Sequence, residues 1–142
     1  MKIYIASSWR SPYQHDVVLL LRSDGHEVYD FRNPYSGNYG FRWSEIDLDW
    51  ENWTQEEYRD ALKHPVATRG YVTDLQAMQW ADACVLVLPC GRSAHLEAGY
   101  FVGAGKPLHI LILDPCEPEL MYKMAAGIHT TFAELVQCLK GR

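Results

Sequence analysis

The amino-acid sequence predicts an α/β fold in which a parallel sheet lies between layers of helices. Short apolar runs alternate along the chain with segments of helical periodicity, and this alternation is typical of a parallel sheet with helices on both faces. The run 83–88 is apolar throughout, which indicates a strand buried on both sides. The 142 residues suffice for one domain with a hydrophobic core, so we expect a single domain over 1–142.

The first elements follow from apolar spacing and from the residues that end each run. They are a strand over 2–6, a helix over 12–24 and a short strand over 27–30. Pro12 suits the first turn of the helix. Gly25 suits the position that ends it.

The segment 31–69 is dense in aromatic residues and in turn-forming Asn, Pro and Gly. It is predicted to be an aromatic-rich loop and helix inserted in the sheet topology, and long ordered loops are usually functional. Thr54 with Glu57 has the spacing of a capping box, which predicts the start of a helix. A further helix is predicted over 73–81, with Asp74 in its first turn.

The second half of the chain completes the alternation. Its predicted elements are a strand over 83–88, a helix over 94–104, a strand over 108–113, a short helix over 118–125, a strand over 127–129 and a closing helix over 131–140. Five parallel strands with helices on both faces predict a flavodoxin- or Rossmann-like three-layer sandwich.

The composition excludes several classes of protein. The net charge is −5 and no basic stripe is visible, which argues against binding to a polynucleotide. No apolar run approaches the roughly 20 residues of a membrane span. The start of the chain is too quickly polar for a signal peptide. The four cysteines lack the spacing of a zinc or redox motif, so we expect free thiols in the cytoplasm.

Ligands of open parallel sheets bind beyond the carboxyl ends of the strands. Three segments are expected to meet at that edge, namely 6–12, 30–53 and 89–97. All three are rich in polar or aromatic side chains. A small-molecule site is therefore expected there.

Glu97 is the first candidate for chemistry at this edge. Ser93 is a plausible N-cap, which would place Glu97 about one turn into a helix, where the dipole keeps a carboxylate ionised. Such a carboxylate can attack an anomeric carbon. Asp74, at its predicted helix start, would approach the same edge as a second carboxylate. The alternative is that both are ordinary first-turn acids, whereas Asp82 precedes a strand and belongs to the opposite edge.

An anion pocket is the second feature expected there. Its candidate residues, in the turns after the first and third strands, are Ser7, Ser8, Arg10, Arg92 and Ser93. The alternative for each arginine is a solvated surface charge. Neither a dinucleotide fingerprint nor a Walker sequence is present.

Aromatic residues could stack on a planar base. The candidates are Trp9, Trp43, Trp50 and Trp53, of which Trp9 and Trp43 are expected to contact the substrate. The alternative is that some of them only cover the side of the sheet. Ser93 near His95 could suggest a serine hydrolase, but the Gly-x-Ser-x-Gly elbow is absent. The six histidines are scattered, with no metal-ligand spacing, so no metal is expected.

Several pieces of the sequence, in this order and spacing, resemble the nucleoside 2-deoxyribosyltransferases and the related 2′-deoxynucleoside 5′-monophosphate N-glycosidases. These pieces are the opening Lys-Ile-Tyr-Ile-Ala-Ser-Ser, Asp74 with Asp82 eight residues on, the apolar run, Glu97-Ala98-Gly99-Tyr100 and Gly105-Lys106-Pro107. The family usually has a Gly-x-Gly run before the glutamate. This chain has Arg-Ser-Ala-His-Leu at that place, over 92–96.

The resemblance implies roles for individual residues. Glu97 would be the nucleophile that attacks C1′, Asp74 would assist at the base or sugar, and Tyr4 would hold the nucleophile. Ser8, Arg10 and Ser93 would bind a 5′-phosphate. Without the resemblance, Tyr4 is an ordinary core tyrosine of the first strand.

The expected function is that of a retaining N-glycosidase or deoxyribosyltransferase acting on a nucleoside or its 5′-monophosphate, with no cofactor. The expected partners are small molecules, and the resemblance also implies a homo-oligomer. One alternative is a non-catalytic nucleotide-binding or sensing module on the same fold. A third reading is an interaction module, which would show an exposed apolar patch over 35–53.

Overall fold

The computed structural model of the protein describes residues 1–142. Its sheet has five strands, β1 (Lys2–Ala6), β2 (Glu27–Tyr29), β3 (Ala83–Val87), β4 (Leu108–Leu111) and β5 (Gly127–His129). All neighbouring strands are parallel, in the order β2-β1-β3-β4-β5. This is the order of flavodoxin-like folds, and it confirms the predicted α/β sandwich with a five-stranded parallel sheet.

Five α-helices accompany the strands: α1 (Gln14–Ser23), α2 (Gln55–Ala61), α3 (Pro65–Trp80), α4 (Arg92–Gly103) and α5 (Phe132–Leu139). Short 3₁₀ turns occupy Trp43–Glu45, Trp50–Asn52 and Leu120–Met124. The last of these lies where the sequence predicted a short helix over 118–125. No helix has the length and the apolar character that a membrane span requires.

The sheet separates two sets of buried side chains, because successive residues of a strand point to opposite faces. On one face, Ile3 and Ile5 of β1 pack with α1 and α5 in a continuous apolar cluster. On the other face, Tyr4 contacts Phe101 of α4. β3 is buried at every position, as predicted.

The chain divides into two compact units. The first unit, Met1–Asp30 with Trp80–Arg142, contains the sheet together with α1, α4 and α5. The second unit, Phe31–Gln79, contains α2 and almost all of α3. It covers the predicted insertion over 31–69 and continues to Gln79, one residue before the end of α3.

An aromatic cluster organises the second unit. The Trp43 ring meets Phe41, Trp53 and Tyr58 edge to face, with centroids 4.8, 5.7 and 5.9 Å apart. At the start of α2, Thr54 and Glu57 form the predicted capping box. Tyr35, Tyr39 and Leu48 are exposed, whereas Trp50 and Trp53 are half-buried.

The prediction of a helix over 73–81 was wrong about its start, since α3 begins at Pro65. Proline suits the first turn of a helix, because its missing N–H has no partner there in any case. Gly70 lies within α3, where an added Cβ would come within 3.1 Å of Phe41. Asp74 therefore lies in the interior of the helix and not in its first turn.

Two histidines are buried on the sheet face that α5 covers. His109 of β4 is 2% exposed and His129 of β5 is 7% exposed. The Nδ1 atom of His109 lies 3.1 Å from Nε2 of His129, so one ring donates a hydrogen bond to the other. Burial lowers the pKa of His109 to about 4, which keeps this ring neutral near pH 7.

Candidate active site

The carboxyl ends of β1 and β3 form the centre of the candidate site. Ala6 pairs with Leu86 across the two strands, so the turns that follow them begin side by side. The Ser7 hydroxyl donates a hydrogen bond of 2.9 Å to the carbonyl oxygen of Val87. β1 and β3 are also where the strand order changes direction, the usual position of a ligand in doubly wound folds.

Tyr4 and Glu97 meet at this position. The Tyr4 hydroxyl donates a hydrogen bond to Oε2 of Glu97. Tyr4 is 1% exposed, whereas Glu97 is half-buried. A hydrogen bond to a carboxylate is stronger than one between neutral groups, so the hydroxyl orients Glu97 and stabilises its charge.

The Tyr4 ring is itself held from two sides. Tyr29 of β2 stacks on it with centroids 5.2 Å apart and planes 13° apart. Phe101 of α4 lies 5.6 Å away on a tilt. Because Glu97 and Phe101 are four residues apart on one helix, α4 supplies both the acceptor of the hydroxyl and a wall for the ring.

The start of α4 differs from the prediction. Gly91 is its N-cap, in an extended conformation and without a side-chain cap, and Arg92 is the first helical residue. The prediction of Ser93 as N-cap was therefore wrong, because the helix begins earlier and places Ser93 in the first turn. Arg92 and Ser93 are both exposed. They remain candidates for binding an anion.

Two thiols lie within the electrostatic reach of Glu97. Burial raises the pKa of Cys84 well above its ordinary value, and the Glu97 charge raises it further. Burial and the same charge raise the pKa of Cys90 to about 12. Both thiols are protonated at neutral pH, and only a thiolate is a strong nucleophile. Neither thiol therefore competes with the Glu97 carboxylate as a nucleophile.

The turn after β1 contains the other predicted polar residues. Ser8 accepts a hydrogen bond of 3.2 Å from the backbone N–H of Arg10. Trp9 is 39% exposed and Arg10 is also exposed. The turn thus presents an indole and a guanidinium to solvent. It follows the carboxyl end of β1, next to the end of β3, which α4 and Glu97 follow.

A buried amide–carboxylate pair was not anticipated from the sequence. Gln14 Nε2 donates a hydrogen bond of 2.7 Å to Oδ1 of Asp30, and both side chains are buried. Asp30 directly follows β2, at the same end of the sheet. That position after a strand was the one available signal, since Gln14 reads only as a polar residue in a helix.

An open cleft of about 720 Å³ lies between α4, the β3 and β4 strands and the turn Leu120–Met124. His95 of α4 lines this cleft and forms two hydrogen bonds. Its Nδ1 lies 2.8 Å from the carbonyl oxygen of Gly91, the N-cap of α4, and its Nε2 lies 2.8 Å from the hydroxyl of Tyr122 on the opposite wall. A carbonyl only accepts, so Nδ1 carries the proton and Tyr122 donates to Nε2. His95 is thus engaged with Gly91 and Tyr122, not with Ser93. Glu97 does not line this cleft.

Two of the predicted site residues are not in the unit that contains the sheet. Asp74 in α3 and Trp43 in the aromatic cluster belong to the second unit. Asp82 precedes β3 and accepts a 3.0 Å hydrogen bond from the backbone N–H of Lys2, at the amino ends of the strands. This agrees with its expected place at the opposite edge from Glu97.

Neither a protein-family model nor a curated protein matches the sequence. Solved structures do match the fold. A 2-deoxyribosyltransferase from Bacillus psychrosaccharolyticus has a TM-score of 0.70 and 18% identity, over 96% of this chain and 90% of that one. The CMP N-glycosidase of Clostridium botulinum has a TM-score of 0.53 and 15% identity, over 98% of each chain. The chain shares its fold with these two proteins, a 2-deoxyribosyltransferase and an N-glycosidase of a nucleoside monophosphate.

Proposed function

We propose that this protein breaks the bond between base and sugar in a nucleoside or a nucleoside 5′-monophosphate, with Glu97 as nucleophile. The observation that carries the proposal is the hydrogen bond from Tyr4 to Glu97, at the carboxyl ends of β1 and β3. It fixes a carboxylate at the edge where such folds bind ligands. The two enzymes of the same fold support the substrate class.

In the first step, a carboxylate oxygen of Glu97 bonds to C1′ of the sugar. The bond between C1′ and the base nitrogen breaks, and its electron pair leaves with the base, which takes up a proton. The product is a glycosyl ester of Glu97. Tyr4 would keep the attacking carboxylate oriented, because Tyr29 and Phe101 contact its ring on two sides and so hold the hydroxyl in place.

In the second step, the ester is released by attack at C1′. Water would give the free sugar or sugar phosphate, and a second base would give a new nucleoside. Two displacements at the same carbon retain the configuration of the sugar. Asp74 is proposed to handle protons on the base or on the incoming acceptor.

A 5′-phosphate is the proposed ligand of the exposed polar residues at this edge. Ser8 and Arg10 follow β1, and Arg92 and Ser93 begin α4, so both groups sit at strand ends that neighbour each other. Backbone N–H groups of a first helical turn and a guanidinium both favour an anion. Trp9 and Trp43 are the proposed stacking partners of the base.

The test is release of free base, followed by chromatography, from a panel of nucleosides and 5′-monophosphates with and without an added acceptor base. We expect release by the wild type and its loss, by three orders of magnitude or more, in Glu97→Gln and Glu97→Ala. Glu117→Ala is the control, because Glu117 is an exposed glutamate in the same unit.

No release by the wild type under any of these conditions would overturn the enzymatic proposal in favour of a nucleotide-binding module. That module would bind a nucleotide in titration calorimetry, and Glu97→Ala would only weaken the binding. If no nucleotide bound, the exposed Tyr35, Tyr39 and Leu48 would favour the third reading, an interaction module. The single domain, the homo-oligomer and the cytoplasmic location remain predictions, and light scattering would test the oligomer.

A further inference from the structure

The sheet face that α5 covers carries a second group of chemically active side chains, unrelated to Glu97. His109 lies on β4, His129 on β5 and Cys138 on α5. Nδ1 of His109, Nε2 of His129 and Sγ of Cys138 all lie within 4.8 Å of one another. The two nitrogens are 3.1 Å apart, and the sulfur is 4.0 Å from the His109 nitrogen.

We propose that His109, His129 and Cys138 form a binding site for a transition-metal ion of the zinc type. Two imidazoles and one thiolate are a ligand set that Zn²⁺ accepts, with bonds of about 2.0–2.1 Å to nitrogen and about 2.3 Å to sulfur. Donor atoms that surround one such ion lie about 3.3–3.6 Å apart, as follows from those bond lengths in a tetrahedron. The spacings within the cluster require only small side-chain movements to reach them.

The backbone leaves room for an ion beside the two nitrogens. Gly127 of β5 pairs with His109, and a Cβ added to it would lie 2.9 Å from His129 Nε2 and 3.5 Å from His109 Nδ1. A side chain at this position would therefore occupy the space next to both donor atoms. Gly127 and Cys138 are each half-buried, which provides access from solvent to an otherwise buried pair.

The surrounding charges neither exclude a cation nor attract one strongly. The positive charge of Arg142 acts on His109, and the negative charge of Glu134 acts on His129. The thiolate of Cys138 would supply the local negative charge. Three protein ligands leave a fourth position for water or another small ligand, since Zn²⁺ prefers four.

Binding of the metal ion would change the protonation of its three ligands. The Cys138 thiol loses its proton to solvent as the Zn–S bond forms, and so one proton is released per ion. His109 would bind through Nδ1 and keep its N–H on Nε2, and His129 would bind through Nε2 and keep its N–H on Nδ1. The hydrogen bond between the two rings is replaced by two metal–nitrogen bonds.

The site would tie three elements together at the edge of the sheet. β5 is an edge strand of three residues, and α5 is the last helix. A metal that bridges β4, β5 and α5 stabilises only the folded arrangement, because the unfolded chain holds no such site. Metal is therefore expected to raise the melting temperature of the protein.

The experiment uses Co²⁺, a spectroscopic substitute for Zn²⁺, added to the full-length protein after treatment with a chelator. We expect a one-to-one complex with a thiolate-to-cobalt charge-transfer band, and Zn²⁺ should displace the Co²⁺ and raise the melting temperature. Cys138→Ser should remove the band and the thermal shift. Gly127→Ala, which keeps all three ligands, should weaken Co²⁺ binding at least tenfold.

Two controls distinguish this cluster from other thiols. Cys116→Ser replaces an exposed cysteine, and Cys90→Ser replaces the cysteine that lies 3.8 Å from His95, a contact without a second histidine. Both should keep the band. The proposal is overturned if the wild type forms no one-to-one complex, or if the band survives in Cys138→Ser with native circular dichroism. Loss of the band in Cys90→Ser would likewise overturn it, by placing the metal at His95.

Discussion

Polar side chains are satisfied in different ways on the two faces of the sheet. On the α4 face, Tyr4 donates to a carboxylate that remains half-exposed at the end of the strands. On the α5 face, His109 and His129 are uncharged rings that satisfy each other away from solvent. A charge is retained where solvent can reach it, whereas groups without that access stay neutral or need a partner of opposite charge. Since strand residues alternate between faces, one sheet can carry both without contact between them.

The largest expected effect separates stability from activity across these faces. Leu135 of α5 is fully buried in the apolar cluster behind the sheet. Leu135→Ala should lower the free energy of unfolding by about 2–5 kcal/mol, because it removes buried methyl groups and leaves a cavity. Denaturant titration measures this loss. Base release by the folded fraction should be unchanged.

Gln137→Ala, an exposed position on the same helix, is the control and should change stability by less than about 0.5 kcal/mol. A fall in kcat of the folded Leu135→Ala protein would show that the two faces are coupled and would break the comparison.

A smaller effect, now on activity alone, is expected from Tyr4→Phe. The substitution keeps the ring between Tyr29 and Phe101 but removes the hydroxyl that donates to Glu97. A hydrogen bond to a charged group contributes about 1.5–3 kcal/mol, so kcat should fall roughly 10- to 160-fold. Steady-state rates of base release measure it.

Tyr13→Phe is the matched control, since its hydroxyl also donates to a carboxylate, that of Asp114 on the exposed surface. An equal loss in both variants, or none in Tyr4→Phe, would contradict the positioning role of Tyr4.

The smallest effect concerns the ring behind Tyr4. Tyr29→Leu removes the stacked aromatic face, and aromatic pairs contribute about 0.5–1.5 kcal/mol beyond their burial. A Tyr4 side chain held less firmly should lower kcat about 2- to 10-fold. Tyr29→Phe retains the ring and should behave as the wild type; if it is as slow as Tyr29→Leu, the stacking is not what positions Tyr4.

The fold could be predicted closely from the sequence because its signals are local. The five strands were found from apolar runs, and β5 was predicted with its observed bounds, 127–129. The capping box of Thr54 and Glu57 was visible at its fixed spacing. The start of α3 was missed because Pro65 reads as a helix end as readily as a helix beginning.

The candidate site could be predicted in part. Tyr4 and Glu97, 93 positions apart in sequence, were paired by the family resemblance, and the structure brings them into contact. His109, His129 and Cys138 have no recognisable spacing along the chain, and only the strand register and the docking of α5 bring them together. Such clusters form only in the tertiary structure, so no local sequence pattern predicts them.

The pairing of β1 with β3 also has a consequence for folding during synthesis on the ribosome. The hydrogen bond from Ser7 to Val87 joins positions 80 residues apart, with the whole of Phe31–Gln79 between them. At roughly 5–20 residues per second, β1 would wait on the order of 4 to 16 seconds before its central neighbour is made. During that time its apolar residues and one unpaired edge are open to wrong partners, a period in which chaperones protect nascent chains.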